Sequence, residues 1–145
     1  MSNKIDHLIQ RIYDEWENIE KSSQRTLEGW QKFQNSHYDS LYLDAVALNL
    51  HNFYNGIERI LEIIATVIDK KIPEGDKWHQ NLLQQMTKEI SGIRPAVISI
   101  NSYEYLNEYR RFRHLVRNIY AFELDADRLK VLIEKLPELM LKLQP

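Results

Sequence analysis

The stretch Asp39–Lys70, DSLYLDAVALNLHNFYNGIERILEIIATVIDK, decides the fold. Leu43, Val46, Leu50, Phe53, Ile57, Ile60, Ile64 and Val67 recur at steps of three and four, the period of an α-helix with one apolar face. The spacing is nearly heptad over more than three turns, which predicts a long helix packed against other helices and makes this segment the central packing element. Asp39 or Ser40 suits its start, since a short side-chain oxygen can accept from the free N–H groups of a first turn. Lys71-Ile72-Pro73-Glu74-Gly75 stops it, because Pro73 cannot continue a helix and Gly75 suits a turn.

Helical periodicity continues on both sides. Upstream, Ile5, Leu8, Ile9, Ile12, Trp16 and Ile19, extended by Leu27, Trp30 and Phe33, predict a first long helix ending near Asn35-Ser36. Downstream, a shorter helix runs through Trp78, Leu82, Leu83, Met86 and Ile90. Gly92 to Ile100 holds Pro95 and a brief apolar run, Ala96-Val97-Ile98, and is read as a loop because a lone strand has no partner. Asn101 or Ser102 is expected to cap a fourth helix. Asp125 caps a fifth, with core positions Leu129, Leu132, Ile133, Leu136, Met140 and Leu143 and a kink at Pro137. The tryptophans Trp16, Trp30 and Trp78 are read as packing. With no repeat, low-complexity segment or linker, residues 1–145 are expected to form a single all-α domain, a five-helix up-down bundle.

Composition narrows the function. The chain has 145 residues, 43% of them apolar, which is enough for one packed core. The lack of cysteine excludes disulfides and thiolate metal sites. Met1–Asp6 lacks the charged-then-apolar pattern of a signal peptide, and no apolar run reaches the ~20 residues of a membrane span, so a cytoplasmic protein is expected. A net charge of −2 argues against a protein that coats nucleic acid by bulk electrostatics. The cations are instead local: Arg110, Arg111, Arg113, Arg117 and Arg128 fall in the C-terminal half, while Glu15, Glu17, Glu20, Asp39 and Asp44 make the first third comparatively acidic.

The chemistry concentrates in Tyr109-Arg110-Arg111-Phe112-Arg113-His114-Leu115-Val116-Arg117-Asn118-Ile119-Tyr120. At ~100° per residue, Phe112, Val116, Ile119 and Tyr109 fall on one side, Arg113, Arg117 and Tyr120 share a stripe at its edge, and His114 with Asn118 lies on the adjoining flank. Converging arginines beside a group that carries a proton are what binding and cleaving a phosphodiester requires. Arg110, Arg111 and Arg128 are read as surface charges or ion-pair partners.

This segment resembles the signature helix of HEPN-domain ribonucleases, with HepT-type toxins the closest group. The matching residues are Arg113, the polar His114 beside it, and Tyr120. Phe122-Glu123-Leu124-Asp125 and Leu136-Pro137-Glu138-Leu139 are also similar, so the likeness spans roughly Asp44 to Leu143. Asn118 departs from the pattern, standing where the family motif has a histidine. The resemblance implies a HEPN-type bundle, a two-fold dimer with a composite site, and an endoribonuclease toxin of a bacterial toxin–antitoxin pair. It also implies a nucleotidyltransferase antitoxin that modifies Tyr120 with AMP.

Cleavage of RNA without a metal needs removal of the 2′-OH proton, stabilisation of the charge on phosphorus, and a proton for the leaving oxygen. Arg113 and Arg117 suit the second task, since the guanidinium fork pairs with phosphate oxygens and stays charged. Asn118 can hold a 2′-OH or a phosphate oxygen but has no useful pKa. His114 is therefore the expected proton carrier and His79 a second candidate; a solvated helix histidine is the bland reading of each. Tyr120 reads as a core tyrosine, as a base-stacking platform, or as the modified residue. His51 reads as a buried, hydrogen-bonded histidine. Glu58 and Glu62 could offer two carboxylates to a metal, but no Glu-x-x-His motif accompanies them, so neither metal nor cofactor is expected. The alternative to a ribonuclease is a catalytically silent HEPN module that binds RNA or nucleotide, or serves as an assembly partner.

Overall fold

The computed structural model describes residues 2–120 and 123–144; Phe122, part of the family-like Phe122–Asp125 stretch, lies outside them. Among the described residues the architecture is all-α, with five helices: α1 Ser2–Asn35, α2 Ser40–Ile64, α3 Trp78–Met86, α4 Ile100–Val116 and α5 Ala126–Leu143.

The first two helices form an antiparallel hairpin. Their connection turns through two left-handed residues, His37 at φ 58° and Tyr38 at φ 66°, and Asp39 then caps α2 by accepting from the Leu41 N–H at 3.0 Å. The axes approach closely because glycine stands at the crossing. A Cβ on Gly56 would lie 2.5 Å from Ile19 Cγ1, and one on Gly29 would lie 3.1 Å from a methyl of Val46. Arg25 to Asn49 and Arg59 to Glu15 add polar ties along the same seam.

α2 is the central element, as its periodicity predicts: it packs on α1, α3 and α4. Leu43, Val46, Leu50, Phe53 and Ile57 are buried, whereas Val67 is 41% exposed. The physical reason is a change of pitch. After Ile64 the helix widens into a π-turn, Ala65–Asp69, and Lys70 in the left-handed region closes it before Pro73 is reached. Wide turns of this kind rotate later residues off the helix face, here bringing Asp69 to Arg94. The pair is buried and bidentate, Nε to Oδ1 at 2.6 Å and Nη2 to Oδ2 at 2.7 Å.

α3 ends at Met86, before Ile90. Ile90 and Arg94 instead exchange backbone hydrogen bonds across a tight turn through Gly92, φ 76°. The expected loop follows, held because the N–H groups of Val97 and Ile98 both donate to the carbonyl of Met86. Ser99, not Asn101 or Ser102, caps α4, with its Oγ accepting from the Ser102 N–H at 3.0 Å. Asp125 caps α5 as expected, and that helix runs on through Pro137. α4 and α5 are joined in the core where the buried Tyr109 hydroxyl donates to the Leu132 carbonyl at 2.5 Å. No helix among the described residues is long and apolar enough to cross a membrane.

Candidate functional site

One side of α2 is polar where it meets α4. His51, Asn55 and Glu58 follow at four- and three-residue steps, so they stack along a single stripe of the helix. Opposite the first two stand Arg113 and Arg117, while Glu58 turns to α3. Arg113 Nε donates to Asn55 Oδ1 at 2.8 Å, which fixes the guanidinium against α2 and leaves its outer N–H groups for another acceptor.

His51, one turn before Asn55, is half-buried, and its Nδ1 is shut from solvent with no hydrogen-bond partner. Burial above all, then the charges of Arg113 and Arg117, hold this histidine below its ordinary pKa, so the ring is neutral at physiological pH. The expected buried, hydrogen-bonded histidine is thus corrected: His51 is only partly buried, and its enclosed Nδ1 has no hydrogen-bond partner. His51, Arg117 and Tyr120, with Ala47, Leu48 and Val116, line one open cleft of about 340 Å³.

The other expected site residues divide. α4 ends at Val116, so Tyr120 does not continue a helical stripe with Arg113 and Arg117; a turn carries it to the same cleft. Asn118 lies just past the helix, whose C-cap is Arg117. Its Nδ2 donates to the His114 carbonyl at 2.7 Å, supplying a partner to a C-terminal carbonyl that the helix leaves without one. The His114 side chain is exposed and is not part of the cleft lining. Arg110 and Arg111 are engaged on α4 itself, with Asn107 at 2.9 Å and Glu108 at 2.9 Å.

His79 lies elsewhere. Its Nδ1 is 2.8 Å from Oε2 of Glu58, which is 5% exposed, and its ring stacks on Trp78 with centroids 3.6 Å apart. Glu58 also stands beside Tyr54, whose buried phenol is pushed well above its ordinary value by burial first and by that carboxylate second. Glu62 is raised as well, by burial and then by Glu58. Among the described residues no group of three or more His, Asp and Glu is placed to hold a metal ion. His51 and Asn55 were the residues least visible from sequence; their only signal was polar character at i and i+4, which Asn49, Asn52, Glu58 and Glu62 on the same helix share.

The HepT-like protein family matches residues 45–145, which takes in α2 from its second turn and includes His51, Asn55, Arg113, Arg117 and Tyr120, and the chain belongs to that family. No curated protein and no solved structure matches it.

Proposed function

We propose that this protein is an RNA-cleaving toxin of a toxin–antitoxin pair, acting as a two-fold dimer without a metal and neutralised by a nucleotidyltransferase that attaches AMP to Tyr120. The observation that carries the reading is Arg113, held by Asn55 beside Arg117 and Tyr120 in a HepT-like chain. The Arg117 guanidinium at the cleft, with Arg113 one turn earlier on α4, suits a phosphodiester, and their charge suits the excess negative charge that phosphorus acquires during transesterification. Tyr120, 71% exposed, is open to a modifying enzyme, and an added nucleotide would set its phosphate among the cations that substrate needs. Leu48, 60% exposed at the cleft, offers apolar surface to a second copy.

Single-stranded RNA incubated with purified protein in excess chelator tests the reading, with Arg113→Ala as the control. Cleavage that survives chelation and is lost in the variant is expected. Full activity in Arg113→Ala overturns the role given to arginine. Co-expression with a cognate nucleotidyltransferase, followed by intact-mass measurement, should show AMP increments that vanish in Tyr120→Phe; an unmodified tyrosine in a neutralised complex refutes that part. A second reading, an RNA-binding module without catalysis, is favoured by Asn118, whose amide bonds the His114 carbonyl and has no proton to exchange. RNA binding with no cleavage at any pH would select it.

A further inference from the structure

The cleft contains an imidazole that the signature segment does not supply. We propose that His51 of α2 is the proton-transfer residue of this site, taking the 2′-OH proton of an RNA phosphodiester held by Arg113 and Arg117 and returning it to the leaving oxygen. The inference rests on the ribonuclease reading above and names the group that reading lacks.

Three observations carry it. His51 lines the same cleft as Arg117 and Tyr120, whereas His114 is exposed outside it and His79 is paired with Glu58. The ring lies one helical turn from Asn55, the residue that fixes Arg113, so base and phosphate-binding group are set by a single rigid element. Finally, His51 Nδ1 is buried and unpartnered. No hydrogen bond at Nδ1 therefore ties the imidazole to the fold. With Nδ1 enclosed, Nε2 is the nitrogen open to exchange.

The charged and titratable neighbours fit the role. Arg113 from α4, Arg117 from the turn after it, and Asp44 and Tyr120 at the cleft are the groups that face His51. In the free protein burial and the two arginines keep the ring neutral, ready to accept a proton. A bound phosphodiester brings negative charge between those arginines and offsets their repulsion, so the ring gains a proton where the reaction delivers one. The step balances without another reactant. The 2′-OH proton moves to His51, the O2′–P bond forms as the P–O5′ bond breaks, and the imidazolium gives its proton to O5′. The products are a 2′,3′-cyclic phosphate and a 5′-hydroxyl, and His51 ends neutral.

The test compares wild type, His51→Gln, His51→Ala and His114→Ala on single-stranded RNA, with RNA binding followed by fluorescence anisotropy and folding by thermal melting. We expect His51→Gln to bind RNA within a few-fold of wild type and to lose at least ~100-fold in cleavage, the usual share of general acid–base catalysis, while His114→Ala keeps most of its rate. Free imidazole should restore part of the activity of His51→Ala, whose missing ring leaves room in the cleft. A merely structural histidine would not respond in that way. In wild type and His114→Ala alike, kcat/KM should rise with pH to a plateau reached at or below the ordinary histidine range. Wild-type cleavage with an unimpaired, folded His51→Gln overturns the assignment and leaves the ribonuclease reading standing. Should His51→Gln misfold, absence of imidazole rescue or of the pH limb overturns it. RNA binding without cleavage by wild type overturns both.

Discussion

Replacing Arg94 by Met should be among the most damaging single changes in this protein. The Arg94 and Asp69 side chains are 7% and 1% exposed, so the substitution strands a carboxylate away from water. Arg94 gives Asp69 two charge-assisted bonds, at 2.6 and 2.7 Å, and leaves it afterwards with only Gln85 Nε2 at 2.8 Å. Hydrogen bonds to charged groups contribute ~1.5–3 kcal/mol each, and removing one partner of a buried pair typically costs ~3–5 kcal/mol. Both routes give the same range. For a chain of this size that is a fall in Tm of roughly 10–16 °C. The double variant Asp69→Leu/Arg94→Met should recover much of the loss, since it removes both desolvated charges. The carbonyls of Lys88 and Pro95 that Arg94 also served lie toward solvent. The Arg94 hydrogen bonds first, and that of Gln85 after them, hold the Asp69 carboxyl below its usual range against the opposing effect of burial. Its contribution is therefore present above the ordinary aspartate pKa, ~3.9, and lost as pH falls below it. Urea titrations of the single and double variants at neutral and acid pH read all of this. A loss under ~1 kcal/mol in Arg94→Met, or a double variant as unstable as the two singles summed, would refute the account of this pair.

Gly56→Ala should destabilise in spite of its better helix propensity, because the new Cβ would meet the fully buried Ile19 at 2.5 Å; overpacking at ~1–3 kcal/mol outweighs a propensity gain of ~1 kcal/mol, and a denaturant midpoint at or above wild type contradicts it. Asn118→Ala should fray the last turn of α4 at a cost of ~0.5–1.5 kcal/mol, read as faster amide exchange confined to residues near Val116. His51 adds a pH dependence of its own. Since its pKa is lowered in the folded state, its contribution is complete above the ordinary histidine value of ~6.5 and declines as pH falls below it, when the unfolded chain takes up a proton that the native site resists. His51→Leu should flatten that limb of a stability-versus-pH curve, and an unchanged limb would contradict the environment described for His51.

The fold was legible because its signal is repeated. Apolar steps of three and four in α1, α2 and α5 give one answer over many turns, and Asp39 and Asp125 cap where short acidic residues precede such runs. The errors lie where one local interaction competes with periodicity. Ile90 continues the α3 pattern, yet the Gly92 turn takes its backbone into a bridge with Arg94. Val67 continues the α2 pattern, yet the π-turn rotates it outward so that Asp69 can reach Arg94. Long-range ion pairs have no period, and nothing in a linear reading joins residues 69 and 94.

The site shows the same limit in a sharper form. A helical wheel extended through Tyr120 gathers Arg113, Arg117 and Tyr120 on one stripe; the structure also gathers Arg117 and Tyr120, but by a turn that begins where the wheel should have ended. Asn118 is the hinge of that difference. On a continuing helix its amide would lie on the flank of the arginines; here it lies in the turn after α4, with its Nδ2 donating to the His114 carbonyl. With the Asn118 amide on the His114 carbonyl, the imidazole beside Arg113 and Arg117 is that of His51 on α2, the residue proposed above for proton transfer.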